Sequence, residues 1–267
     1  YCQARDWELI IVNDGSTDET ATVISDYEDT WGVQILHHVL NRGYGAALKT
    51  GIRASTTEFT VTIDADGQHN IEDAEQLLAL AIEKNADLVV GKREGVREED
   101  LFRRIGKWII RTLAKLLVPL KIQDLNSGYK LYRTECVQDY LDLCPDTMAF
   151  SDTITLVFVH EKHLVLEQPI TVNKRLVGTS TINLNTAFDT VIHILNNVMM
   201  FNPLRIFLPI SIFCFLFGIG WGLPILLRGR GVSVGSLLAL VSGLLVFLIG
   251  LVANQLSEIR LQITRHN

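Results

Sequence analysis

Hydrophobic positions along this chain follow three different rhythms. Up to about residue 175, short apolar runs alternate with stretches of helical spacing. Leu9 to Val12, Val33 to Leu36, Phe59 to Ile63 and Asp87 to Val90 read as strands. Between them, Ala46 to Ala54 reads as a helix. So does Ile71 to Lys84, where Leu77, Leu78, Ala81 and Ile82 share one face. Thr17, Asp18 and Glu19 open a further helix after the turn Asn13-Asp14-Gly15-Ser16. Ser16 or Thr17 is expected to cap it, with acids in its first turn. Strands alternating with helices predict an α/β domain: a mostly parallel, Rossmann-like sheet with helices on both faces. Ligands of such sheets sit beyond the carboxyl ends of the strands. Asp14, Asp64 and Asp66 fall at those ends.

The second rhythm is amphipathic. From Leu101 to Leu120, Arg103, Arg104, Lys107, Arg111 and Lys115 alternate with apolar residues. Two readings fit: a surface helix with a solvated basic face, or a helix lying on an anionic membrane surface. Ala187 to Met200 likewise reads as an interfacial helix. The third rhythm is continuously apolar. Pro203 to Leu227 and Val232 to Ala253 each exceed the roughly 20 residues that span a bilayer, and only Arg228-Gly229-Arg230-Gly231 separates them. They predict a transmembrane hairpin with both ends on the side of the large domain. Arg260, Arg265 and the basic residues of 101–120 favour a cytoplasmic domain, while Arg228 and Arg230 vote weakly the other way.

Composition supports this division. The chain has 267 residues and a formal net charge of -6, which argues against nucleic acid as a main partner. The mean hydropathy of +0.24 is high for a soluble domain and agrees with the apolar carboxyl-terminal third. The 4 cysteines include no C-x-x-C pair and are expected as free thiols in a reducing compartment.

The candidate chemistry begins with Asp64-Ala65-Asp66-Gly67-Gln68-His69. Two carboxylates spaced one residue apart at a strand end can reach a shared point, and Gln68 adds a neutral oxygen. Oxygen ligands suit a hard cation, Mg²⁺ or Mn²⁺, which takes the rest of its shell from water and substrate phosphates. A solvated turn is the bland alternative. His69 is read as a hydrogen-bond donor or a helix cap. Asp14 ends the first strand, where a carboxylate suits a nucleobase or ribose hydroxyl. Asn41 to Gly51 invites a phosphate-loop reading, but Leu48 stands where that motif needs glycine before Lys49. His160 and His163 stand three apart, and their spacing argues against a metal pair.

Five stretches together resemble glycosyltransferase family 2, in its polyprenyl-phosphate sugar synthase branch. They are residues 12–18, 41–47, 64–69, 124–129 and 175–180, in the family's order. The resemblance implies a GT-A fold and inverting transfer from a UDP- or GDP-sugar to a dolichyl or undecaprenyl phosphate. It places Asp14 at the nucleoside and makes Asp64, Asp66 and Gln68 the metal and diphosphate group. It sets Arg93 and Arg104 near the phosphates, Asp124 and Ser127 on the acceptor side, and Arg175 and Ser180 on a loop over the diphosphate. Asp66, Arg93 and Arg175 are thus the expected catalytic residues. The family's opening strand, with a Pro-x-x-Asn-Glu-like motif, is expected upstream of Tyr1.

The expected organisation is a GT-A domain over residues 1–185, an interfacial helix over 186–202, a transmembrane hairpin over 203–256 (about 203–227 and 232–255) and a cytoplasmic tail over 257–267. The expected partners are the nucleotide-sugar, the polyprenyl phosphate and the lipid bilayer, with self-association into a homo-oligomer left open. The alternatives are a membrane-bound family 2 enzyme acting on a glycan or glycolipid, and a non-catalytic membrane scaffold. A processive polysaccharide synthase fits less well, because the chain has neither a Gln-x-x-Arg-Trp motif nor further spans.

Overall fold

The computed structural model describes residues 1–31, 33–94, 122–173, 195–196 and 198–265. The chain divides into two compact units, one of residues 1–98 and 120–181 and one of 99–119 and 182–267.

In the first unit, β1 (Ile10–Asn13), α1 (Thr20–Trp31) and β2 (Gln34–His37) follow one another as strand, helix and parallel strand. α2 (Tyr44–Ala54) then leads to β3 (Phe59–Thr62), and α3 (Asp73–Lys84) to β4 (Leu88–Glu94). After the gap come β5 (Lys130–Arg133), α4 (Thr134–Tyr140), α5 (Phe150–His160) and β6 (Val165–Thr171). Among the described residues β1 and β2 form one sheet, and a second has the order β3-β5-β4-β6.

Two details depart from the sequence expectation. Helix α1 begins at Thr20, not Thr17, and has no acid in its first turn. The Asn13 side chain takes the Ser16 amide at 3.0 Å, Gly15 turns at φ +68°, and Asp18 receives the Thr20 amide at 3.0 Å. The turn therefore uses up the acids before the helix starts. The second departure is β5, which runs antiparallel to both β3 and β4 within an otherwise parallel set. Lys130 pairs with Thr62 on one side and Val90 on the other, so the loop that enters β5 arrives at the carboxyl ends of β3 and β4.

β5 is also the centre of the core. Leu131 faces Leu77 and Ala81 of α3, together with Val89 and Ile170. On the other face Tyr132 packs near Phe158 of α5, with ring centroids 6.3 Å apart. Burying each such side chain stabilises the fold by about 1.5–3 kcal/mol, and β5 is held from both faces.

The second unit contains α6 (Leu204–Leu227) and α7 (Val234–Arg265), joined by a turn in which Gly229 and Gly231 take positive φ. Both helices are long and apolar enough to cross a membrane: 18-residue stretches within Leu204–Leu227 and Val234–Arg260 have mean hydropathies of 2.2 and 2.6. Among the residues of α7 whose burial is described, the buried ones are Ser236, Gly243, Gly250 and Ser257, seven residues apart and all small. A strict seven-residue repeat keeps one seam against a partner helix that winds left-handedly about it. A Cβ on Gly250 would lie 2.6 Å from Cβ of Phe207, and one on Gly243 would lie 3.1 Å from Cβ of Cys214. Ser211 donates to the Gly243 carbonyl at 3.0 Å, closing the seam with a hydrogen bond. Large apolar side chains such as Phe213, Phe217 and Trp221 lie exposed on the outside of the pair.

Candidate active site

The first unit gathers its polar groups at the carboxyl ends of β1, β3 and β4. Asp14 follows β1. Its Oδ1 accepts from the Arg42 amide at 2.9 Å and from Nδ1 of His38 at 2.6 Å, and its Oδ2 accepts from the Gly43 amide at 2.8 Å. With the Nδ1 proton turned to Asp14, Nε2 of His38 accepts from the Thr50 hydroxyl at 2.9 Å. Burial alone would raise the Asp14 carboxyl. The donors from Arg42, His38 and Gly43 outweigh burial and hold it below the usual carboxylate range. Asp14 therefore shapes the 41–43 loop with both of its oxygens.

That loop needs its glycines. Gly43 has φ +101°, and a Cβ there would lie 2.5 Å from the Asp146 carbonyl. The Gly45 amide donates to the same carbonyl at 2.9 Å. The backbone thus approaches residues 145–147 closely and points Tyr44, between the two glycines, toward the end of β3.

At that end the Tyr44 hydroxyl donates to Oδ1 of Asp64 at 2.9 Å. The Asp64 carboxylate also lies against the α-carbon of Gly128, where a Cβ would be 2.4 Å from Oδ2 and 2.7 Å from Oδ1. Asp66 receives the Gln68 amide at 3.1 Å across a turn at Gly67, φ +71°. His69 joins Val172 in an isolated bridge and lays its ring near Tyr129, centroids 5.1 Å apart. Its Nδ1 is buried without a hydrogen-bond partner among the described residues, and the helix that follows is capped at Glu72, so His69 is not the helix cap that its position suggested. The Asn173 amide donates to the Gln68 carbonyl at 2.8 Å, which ties the exit of β6 to the acidic turn.

The end of β4 supplies the cation. Arg93 forms a fork on Asp124, Nε to Oδ2 and Nη2 to Oδ1, each at 2.8 Å. The Asp124 amide in turn donates to Glu167 at 2.9 Å. Burial acts to raise Asp124, but Arg93 outweighs it and holds the carboxyl low. Asp124 raises Arg93 in return, and the nearby charge of Asp64 adds to that. Arg93 and Asp124, both predicted from the sequence, thus come together as a pair close to Asp64.

Ser127 was expected to line the acceptor side. It is fully buried, and its hydroxyl accepts from the Tyr129 amide at 3.3 Å, so it closes the loop instead of facing outward. Behind the loop lies Lys130, fully buried although charged in sequence. Its Nζ donates to the Leu125 carbonyl at 2.8 Å and to the Ser151 carbonyl. Burial pushes its amine down to about 7, against the opposing pull of Asp152 and Asp124. Tyr44, Gly128 and Lys130 carried only weak signals in the sequence: an aromatic between two glycines, and a Gly-Tyr-Lys run after Asn126-Ser127. Arg104, Arg175, Ser180 and the helix expected at 101–120 lie outside the described residues, as do residues 187–194 of the helix expected at 187–200, whose described positions 195–196 and 198–200 are helical.

At the opposite end of β4, His163 bonds Asp87 at 3.2 Å and Tyr140 at 3.1 Å. Asp87, Cys136 and His163 offer ligand atoms within 4.8 Å of one another. The Leu164 amide already occupies Asp87 at 3.0 Å and Arg133 faces it at 3.5 Å, so the group closes on itself.

Strand-end carboxylates of this kind, on a mixed α/β sheet with one reversed strand, define a GT-A domain followed by an apolar helical hairpin. The chain belongs to Glycosyl transferase family 2, whose profile matches residues 3–141, and a GtrB C-terminal hairpin profile matches residues 202–259. Among its relatives, polyprenol monophosphomannose synthase of Mycolicibacterium smegmatis is 30% identical over 64% of this chain and 69% of its own length. Dodecaprenyl-phosphate galacturonate synthase of Rhizobium johnstonii is 26% identical over 73% of this chain and 57% of its own. The matches span 65%, 57% and 57% of the length of the first curated relatives. Glucosyl-3-phosphoglycerate synthase from Mycobacterium tuberculosis, solved with Mn²⁺, UDP-glucose and phosphoglyceric acid, superposes with a TM-score of 0.52. The match is 17% identical and covers 72% of this chain and 68% of that one, a likeness of fold.

Proposed function

We propose that this protein transfers a sugar, with inversion, from a UDP- or GDP-sugar to a polyprenyl phosphate at the cytoplasmic face of a membrane. The observation that carries the reading is the placing of the Asp64–Asp66 turn and the Arg93–Asp124 pair at the carboxyl ends of β3 and β4, in the same sheet. The two apolar helices supply a membrane anchor suited to a lipid acceptor, and the names of the relatives point to the same class of acceptor. The four free cysteines suit a reducing compartment.

Asp64, Asp66 and Gln68 offer an all-oxygen donor set that fits a hard divalent cation and would hold Mg²⁺ or Mn²⁺. Bound there, the cation supplies positive charge to a diphosphate that becomes more negative as it leaves. The chain's own residues do the rest. Asp14 holds the 41–43 loop, the wall on the nucleoside side. Arg93, kept in orientation by Asp124, offers fixed positive charge for an acceptor phosphate. Arg104 and Arg175 extend that charge in this reading, and Ser180 serves the loop over the diphosphate. A phosphate monoester is largely ionised near neutral pH, its second pKa being about 6, so the acceptor needs no general base. One of its oxygens attacks the anomeric carbon, the bond from that carbon to the diphosphate oxygen breaks, and the nucleoside diphosphate departs.

Asp66→Asn tests the assignment. Transfer of radiolabelled sugar to polyprenyl phosphate is expected to fall by at least about 100-fold, with membrane insertion unchanged. Normal turnover by the variant would rule out the role given to Asp66.

A further inference from the structure

Oδ1 of Asp64 is already spoken for. It accepts the Tyr44 hydroxyl at 2.9 Å, whereas among the described residues Oδ2 accepts no hydrogen bond. The phenol is itself held on both sides. Its backbone is fixed by the Gly43 amide on Asp14 and the Gly45 amide on the Asp146 carbonyl. The Asp64 carboxylate also rests on Gly128, where any side chain would press on both of its oxygens.

We propose that Tyr44 is a positioning residue that commits one oxygen of Asp64 to the protein and so limits Asp64 to single-oxygen ligation of a cation. This rests on the reading of Asp64 as a cation ligand. The consequence is selectivity. Mg²⁺ demands near-octahedral geometry at about 2.0–2.1 Å and accepts one oxygen per carboxylate, whereas Ca²⁺ takes 6–8 oxygens and readily uses both oxygens of one carboxylate. Holding Oδ1 away disfavours the larger ion. Tyr44→Phe keeps the ring and its packing and releases only that oxygen.

The test is calorimetric titration of the full-length protein in detergent with Mg²⁺, Mn²⁺ and Ca²⁺, in the presence of UDP or GDP. In Tyr44→Phe the ratio of Mg²⁺ to Ca²⁺ affinity is expected to fall by about tenfold, the equivalent of one hydrogen bond to a charged group. Gly128→Ala, which presses on both oxygens of the same carboxylate, is expected to weaken Mg²⁺ binding with Tyr44 intact. An unchanged ratio in Tyr44→Phe overturns the role of Tyr44 and leaves the site reading standing. A wild-type protein that binds no divalent cation with either nucleotide overturns both.

Discussion

A carboxylate gripped by both arms of a guanidinium resists protonation, and Asp124 is such a group. Burial opposes its charge, and the fork from Arg93 outweighs burial. Its native pKa is therefore depressed, and the unfolded chain takes up the proton first as pH falls. The stability it contributes is complete above the ordinary carboxyl value of about 4 and is lost as pH falls through the lower native value. Thermal midpoints of wild type should drop more steeply below about pH 4 than those of Asp124→Asn. Parallel curves would mean that the pair contributes nothing measurable. Asp64, Asp66, Arg93 and Asp124 were legible in sequence because short motifs carry charge to strand ends. Tyr44 and Lys130 were not, because their roles depend on what meets them: Asp64 is 20 positions from Tyr44, and Ser151 is 21 from Lys130. Asp14 was legible as a site residue, but its commitment to the Arg42 and Gly43 amides was not.

Among the elements, periodicity gave β1 to β4 and α2 and α3 to within a few residues. β5 escaped it. Lys130-Leu131-Tyr132-Arg133 shows no apolar run, yet it is the buried centre of the sheet, because the ammonium of Lys130 finds two carbonyls inside the fold. Its reversed direction is what delivers Asp124 and Gly128 to Asp64. The hairpin was legible as two apolar runs, whereas its small-residue seam requires counting in sevens. In lipid, helices gain little from apolar burial and associate through close packing. Gly250→Leu must displace Phe207 and is expected to cost about 1–3 kcal/mol. Gly220→Leu, with nothing within 4 Å, should cost little. Thermal denaturation of the detergent-solubilised protein compares them. Equal midpoints would remove the seam from the account.

For the whole molecule, the composition already divides into a polar α/β unit and an apolar hairpin, and the proposed chemistry joins the two through an acceptor with an ionised head and a polyprenyl tail. The central claim is that the acceptor is a phosphate, which spares the site a general base. The most direct measurement offers the full-length protein a panel of UDP- and GDP-sugars with Mg²⁺ or Mn²⁺, and gives it either polyprenyl phosphate or the matching polyprenol. Lipid products are then identified by mass spectrometry. The account predicts a glycosyl phosphate lipid from one donor with the phosphorylated acceptor, and no product with the free alcohol. Glycosylation of the alcohol, or no lipid product from any donor, would contradict it.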